Sequence, residues 1–341
     1  MEKEDKFFWV LLLSIFIVPL SGAFSNLTWK MQSDVLYVFL AIMASCGISR
    51  LNEKQCWIIL KAIVGLVVIQ GIWVILQTFN LDPLFKAKAN SAIDLPFGFS
   101  GSPNQSGLFF GVTLPLVASI FPIALPFSIY GLVCAKTTSV LIAVVISTIT
   151  LCSFLYRKVI PYVIVLLIVM SVFFFTKHEN INSAMFKERW NLYKYSTIAA
   201  YTGKIYLPQG NVVYTGVSNP WFGFGFGNFK MLSPTNQSLY ITAAHRYKHA
   251  HNDYIEVFFE FGRLGLGVML VFLTNFFWNF VRAKKTKLLV ITFCCVLTQL
   301  ISALGIFTIH TATSGMLLIL FYGLYLSELR RVKNGDTRGV K

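Results

Sequence analysis

From Leu264 to Val281 the chain runs 18 residues without a charge, and Arg282, Lys284, Lys285 and Lys287 follow at once. A helix crossing a hydrocarbon core of about 30 Å needs roughly 20 such residues, and a basic cluster just beyond it marks a cytoplasmic exit. This stretch predicts a membrane-spanning helix, and it puts whatever precedes it on the opposite side of the bilayer.

The rest of the chain is of the same kind. Of its 341 residues 56% are hydrophobic and only 13% charged, whereas soluble domains carry about 25% charged residues. Further apolar segments lie at about 34–49, 56–79, 105–121, 122–134, 138–155, 159–176, 288–309 and 312–327. Near the start, Lys3 and Lys6, the run from Phe7 to Val18 and the small residues Ser21-Gly22-Ala23 have the makings of a cleaved signal peptide. The many later spans favour an uncleaved first helix.

Residues 105–134 contain Pro115, Pro122 and Pro126, so they read either as one kinked helix or as two short ones. Charge decides between them. Two helices give ten spans with both ends inside, which gathers Lys3, Lys6, Arg50, Lys54, Arg157, Lys158, the 282–287 cluster and the basic tail on the cytoplasmic side. Only Lys30, Lys86, Lys88 and Lys136 then fall in short outer loops, as the positive-inside rule asks. A nine-span arrangement would turn Arg50 and Lys54 outward. The expected fold is therefore all-α, a polytopic bundle of about ten transmembrane helices forming one integral membrane domain over 1–341.

One long hydrophilic segment, 177–252, is expected outside as a large, partly helical loop. It holds Lys177, Lys187, Arg189, Lys194, Lys204, Lys230, Arg246 and Lys248 against Glu179 and Glu188, so a membrane-side anion is its natural partner. The overall charge of +15 does not argue for nucleic acid, because the basic residues are scattered through loops with no soluble region to form a groove. Cys46, Cys134, Cys152, Cys294 and Cys295 lie in or beside apolar segments and Cys56 begins another. No disulfide framework or cysteine metal spacing follows.

Polar chemistry crowds the end of that loop. His249-Ala250-His251-Asn252-Asp253-Tyr254-Ile255-Glu256 runs on to Gly262-Arg263-Leu264-Gly265. Asp253 with Glu256 three residues later is a helix-start signature. A helix from there to Val281 would be roughly 43 Å long at about 1.5 Å per residue, so its first two turns, with Glu256 and Glu260, are expected outside the hydrocarbon. His249-x-His251 with Asp253 suggests a metal set, but no third His or Cys is near and the acids suit a helix start better. Gly223-x-Gly225-x-Gly227 lacks the βαβ setting of a phosphate loop; it reads as a tight aromatic turn dipping toward lipid or sugar, or, as is commoner, as plain packing at the membrane surface. Gly262-x-x-Gly265 reads as a small-residue face for close helix approach.

His251-Asn252, nine further residues and Gly262-Arg263-Leu264-Gly265, together with Asn219-Pro220-Trp221-Phe222-Gly223-Phe224-Gly225-Phe226-Gly227-Asn228-Phe229 upstream, resemble the O-antigen ligase family. That family takes in lipopolysaccharide O-antigen ligases, O-antigen polymerases and protein O-oligosaccharyltransferases. Arg189-Trp190 is similar to the arginine that opens the family's outer loop, and Gly101-Ser102-Pro103-Asn104 to its Asn-Pro-Asn helix entry. Where many members have a Ser-Arg-Gly-like step, this chain has Lys136-Thr137-Thr138-Ser139, a point charge in place of a bidentate arginine.

The resemblance implies a multi-pass glycosyltransferase of the bacterial inner membrane, with its active site on the periplasmic face. It would move a glycan from an undecaprenyl-diphosphate-linked donor to a hydroxyl of a lipid A-core sugar, a growing glycan or a protein side chain, inverting the anomeric centre and using no cofactor or metal. His251 would be the catalytic base. Asn252 would orient acceptor or imidazole, and Arg189, Arg246, Lys248 and Lys136 would hold the diphosphate. A transporter or flippase of lipid-linked saccharides is the alternative, but it would ordinarily want ionisable residues or a broken helix near the membrane midplane.

Overall fold

The computed structural model of the protein describes residues 31–82, 95–156, 158, 183–206, 212–214, 219–232, 250–306, 308 and 312–335. The N-terminal apolar run, the segment 159–176 and the residues Arg246, Lys248 and His249 lie outside these. The chain is helical: α1 Met31–Ile48, α2 Glu53–Thr78, α3 Pro103–Ile120, α4 Leu125–Ala135, α5 Thr138–Leu155, α6 Ser183–Thr202, α7 Phe229–Leu232, α8 Asp253–Arg282, α9 Lys287–Ser302 and α10 Ala312–Lys333. A ribbon of two short antiparallel strands, β1 Ile205–Tyr206 and β2 Val212–Tyr214, follows α6.

Among the described residues, α2, α5 and α8 are long and apolar enough to cross a membrane, and α9 and the 122–135 stretch are shorter apolar helices. The proline-rich region forms two helices. A 3-10 turn, Pro122–Ala124, separates α3 from α4, while Pro115 sits inside α3 without ending it. Eleven residues make α4 about 16 Å long at about 1.5 Å per residue, roughly half a hydrocarbon core.

The chain divides into two compact units, Met1–Met43 with Phe174–Val281, and Ala44–Phe173 with Arg282–Lys341. In the second, α9 is the centre. Every residue from Leu288 to Leu300 is buried, as expected of a helix that is apolar all round, and α9 packs on α5, α3 and α10. Its hydroxyls turn back on their own helix, Thr292 Oγ1 donating to the Leu288 carbonyl at 2.9 Å and Thr298 Oγ1 to the Cys294 carbonyl at 2.9 Å. Burial thus leaves neither without an acceptor. Outward, α2 shows Ile58, Leu66 and Ile69 and α5 shows Ile142 and Ile146, the apolar exterior a lipid-facing surface requires.

Two glutamines of α2 hold the approach to α3. Gln77 Oε1 accepts from the Phe97 and Gly98 amides at 2.9 and 2.7 Å, and Gln70 Oε1 accepts from the Phe99 amide at 2.9 Å. The chain then enters α3 with Ser102 as the cap, accepting from the Gln105 amide, and with Pro103 in the first turn. Gly101-Ser102-Pro103-Asn104 is therefore a helix entry, as its sequence suggests. Thr137 Oγ1 donates to Asn104 Oδ1 at 3.3 Å, so that entry lies beside the Lys136-Thr137 step. Lys136 closes α4 in the left-handed conformation, with φ 51°, and is exposed.

The first unit combines most of α1 with α6, the strand ribbon, the 219–232 loop with α7, and α8. Leu192, Ala199, Ala200, Phe224, Phe229, Ala250 and Phe259 form its core.

Candidate functional site

The loop and the helix that carry the motif are joined backbone to backbone. At Gly262 α8 breaks, with φ 63° and ψ −155°, a conformation open essentially to glycine alone. An unbroken helix would pair the amides of Arg263 and Leu264 with the carbonyls four residues earlier. Those amides instead donate to the carbonyls of Pro220 and Trp221 at 3.0 and 3.1 Å. The two carbonyls so released, of Phe259 and Glu260, accept from the amides of Phe224 and Gly225 at 3.0 and 2.9 Å. Four backbone bonds thus tie the broken helix to the loop, and the amides and carbonyls that make them are satisfied without the helix.

Such an approach leaves no room for side chains. A Cβ on Gly262 would lie 2.6 Å from the Gly223 nitrogen and the Pro220 oxygen, and one on Gly223, where φ is 74°, would lie 2.5 Å from the Gly262 nitrogen. Around the junction Phe224 stacks on Phe259 with centroids 4.5 Å apart, Phe229 meets Phe259 edge-on at 5.1 Å, and Phe226 lies against Phe261 at 5.2 Å. Two expectations are corrected here. The loop's phenylalanines Phe224 and Phe229 turn into the unit's core and not toward lipid or sugar, and Gly262 receives the loop and not a neighbouring helix.

The continuous 43 Å helix is corrected too. The break splits α8 into a first segment ending at Phe261 and a second running from Arg263 to Arg282. The first segment carries Asp253, Glu256 and Glu260, all buried. Glu260 Oε1 accepts from the Phe229 amide at 3.2 Å, at the start of α7, and Glu256 Oε2 accepts from the Ala250 amide at 2.8 Å. A carboxylate that satisfies buried amides is held by charge-assisted bonds, so these glutamates lie inside the fold.

His251 stands between two anchored neighbours. Ala250 is buried and tied to Glu256. Asn252 is the cap of α8, its Oδ1 accepting from the amides of Tyr254 and Ile255 at 3.1 and 3.2 Å. The helix does begin at Asp253, but the capping side chain is that of Asn252. His251 itself is part-buried, has φ 54°, and accepts at its carbonyl from the Tyr193 hydroxyl at 3.2 Å. Left-handed backbone at a residue that is neither glycine nor asparagine costs energy and persists where its surroundings fix it. Tyr193 belongs to α6 one turn after Arg189, so the helix that carries Arg189 is bonded to the histidine's backbone.

Of the residues singled out in the sequence, the structure thus places His251 and Asn252 together with α6, the helix of Arg189. Lys136 lies in the second unit. Arg246 and Lys248 lie outside the described residues. Arg263, the arginine of the Gly-Arg-Leu-Gly quartet, is not singled out by the sequence, yet its side chain faces two aromatic rings of this unit. Its guanidinium sits over the rings of Tyr201 and Trp221, 4.6 and 5.4 Å from their centroids, and donates to the Tyr201 carbonyl at 3.4 Å. Cation and aromatics together form a platform whose two rings are both exposed.

Residues 123–270 match a family model described as O-antigen ligase. The matched span holds Lys136, Arg189, the 219–229 loop, His251 and the break at Gly262; it begins after Gly101–Asn104. No curated protein matches the chain.

Proposed function

We propose that this chain, whose match over residues 123–270 supports the O-antigen ligase family, transfers a glycan from an undecaprenyl-diphosphate-linked donor to an acceptor hydroxyl in cell-surface polysaccharide or lipopolysaccharide assembly. The observation that carries the proposal is the placement of His251. It lies within the matched span, pinned in a left-handed conformation between a buried alanine and the cap of α8, and bonded to α6. A base must be held at a fixed point for proton transfer to a positioned hydroxyl.

The chemistry asks for few parts. As the acceptor oxygen attacks the anomeric carbon, His251 takes its proton, and the bond to the diphosphate breaks with its electron pair leaving on the diphosphate. Imidazole is the side chain that takes up and releases a proton near neutral pH, which suits the task. Attack from the side opposite the diphosphate inverts the anomeric centre. Arg189, Arg246, Lys248 and Lys136 are the cations we assign to the leaving charge, in place of a metal. Asn252 holds the base in place through the helix cap.

The position of the broken helix favours transfer over transport. A transporter uses broken helices at the membrane midplane to bind its cargo. Here the break precedes Leu264, at the edge of the apolar run, and the carbonyls of Phe259 and Glu260 and the amides of Arg263 and Leu264 bond to the loop and not to a cargo.

For topology we propose ten spans and one membrane domain, with 177–252 as a periplasmic loop. A reporter fused within 201–218 should then read as periplasmic, and reporters after Lys54 and Lys287 as cytoplasmic. A cytoplasmic signal from 201–218 would refute the site. Activity of the purified, reconstituted protein should survive strong chelation; loss with rescue by one divalent ion would restore a metal role for His249 and His251.

A further inference from the structure

The second unit carries a basic cavity where the chain leaves α1, enters α2 and ends α10. Its volume is about 740 Å³, and among the described residues its lining includes Arg50, Lys54, Arg330 and Arg331 with one carboxylate, Glu53. By the positive-inside rule this end of the bundle faces the cytoplasm. Cations scattered over loops would serve that rule equally well, but these four converge on one concavity.

The cavity wall is built. Arg331 is clamped by two carboxylates, NH2 to Glu53 Oε2 at 2.5 Å and NH1 to Glu328 Oε2 at 2.7 Å. The other oxygen of Glu328 accepts from Thr286 Oγ1 at 2.6 Å. Ser327 Oγ donates to the Leu51 carbonyl at 2.7 Å, and Asn52 and Gln55 form a reciprocal cap at the start of α2. The carboxylates are therefore spent on Arg331, Thr286 and the Trp57 indole, which donates to Glu53 Oε1 at 3.3 Å. Arg50 and Lys54 stand exposed with no ion pair among the described residues.

Below the cavity an apolar strip begins. Ile58 is one helical turn beyond Lys54, and Leu66 and Ile69 continue along the exposed side of α2. Cations at the helix end and a greasy strip beneath them match a molecule with an anionic head and hydrocarbon tails. We infer that this cavity binds the phosphodiester headgroup of an anionic phospholipid, whose acyl chain lies along α2. Inorganic phosphate shares the head chemistry but has nothing to place on the strip.

The test uses the full chain in a neutral detergent, with thermal unfolding and native mass spectrometry as readouts. Phosphatidylglycerol, phosphatidylcholine and inorganic phosphate are added in separate arms. Phosphatidylglycerol should raise Tm and stay bound, phosphatidylcholine should do neither, and phosphate should give a much smaller shift. R50Q/K54Q should weaken phosphatidylglycerol binding by about 30-fold, about fivefold for each cation removed. In the parent chain the preference for phosphatidylglycerol should fade as salt rises from roughly 50 to 500 mM. Equal binding by parent and variant, equal stabilisation by phosphatidylcholine, or a preference insensitive to salt would overturn the inference. So would phosphate matching the lipid, which would make the ligand a soluble anion.

Discussion

His251→Asn should turn over roughly 10²–10⁴-fold more slowly than the parent while donor binding is nearly kept, because a general base acts in the transition state. The structure recommends asparagine over alanine. His251 sits at φ 54°, a conformation asparagine adopts readily and alanine does not. His251→Ala would lose the imidazole and add backbone strain, whereas His251→Asn removes the chemistry alone. The cations should behave differently. Arg189→Ala or Arg246→Ala should weaken donor binding as well as rate, since a diphosphate is charged before reaction, and Arg→Lys should restore only part of it. His249→Ala, outside the family motif, should be mild. Full activity in His251→Asn, with membrane insertion confirmed, would end the proposed mechanism.

Hydropathy made most of the helices legible. The segments read at 56–79 and 138–155 coincide with α2 and α5, because in an apolar solvent a long apolar run has no stable alternative to a helix. The helix entry at Ser102-Pro103 was legible for a local reason as well, a cap followed by a proline that has no amide to lose.

What stayed hidden depends on partners far apart in sequence. Gly262-Arg263-Leu264-Gly265 has the spacing of a helix-packing face, and nothing within it signals a break. The break becomes favourable only when the Gly223–Gly225 backbone arrives to take the released carbonyls. For the same reason Glu256 and Glu260 read as solvated residues of an overhanging helix: their partners are the amides of Ala250 and Phe229, and one of these is 31 residues away. The alternation of glycine and phenylalanine from Gly223 to Phe229 was the available signal. Glycines let the loop backbone touch the helix, and the phenylalanines between them fill the space on either side.

Gly262→Ala should therefore be among the most damaging single substitutions in the first unit, although it adds one methyl group. The new Cβ would lie 2.6–2.7 Å from backbone atoms of Gly223, Pro220 and Trp221, which cannot rotate away as the end of a flexible side chain could. The conformation itself, φ 63° and ψ −155°, costs a residue with a Cβ about 1–3 kcal/mol. Moving the loop aside to relieve the clash forfeits four junction hydrogen bonds at about 1 kcal/mol each. Either route removes several kcal/mol from a total that is typically about 5–15. Gly267→Ala is the matched control: it lies on the same helix, exposed, with nothing within 4 Å of its would-be Cβ, so it should be neutral or gain up to about 1 kcal/mol in helix propensity. Tm in detergent and the rate of proteolytic cleavage in 219–228 read the two outcomes. Cleavage should accelerate sharply in Gly262→Ala and stay unchanged in Gly267→Ala. Equal Tm and equal cleavage for Gly262→Ala and the parent would mean that the loop does not depend on the break, and the scaffold argued for His251 would lose its fixed point.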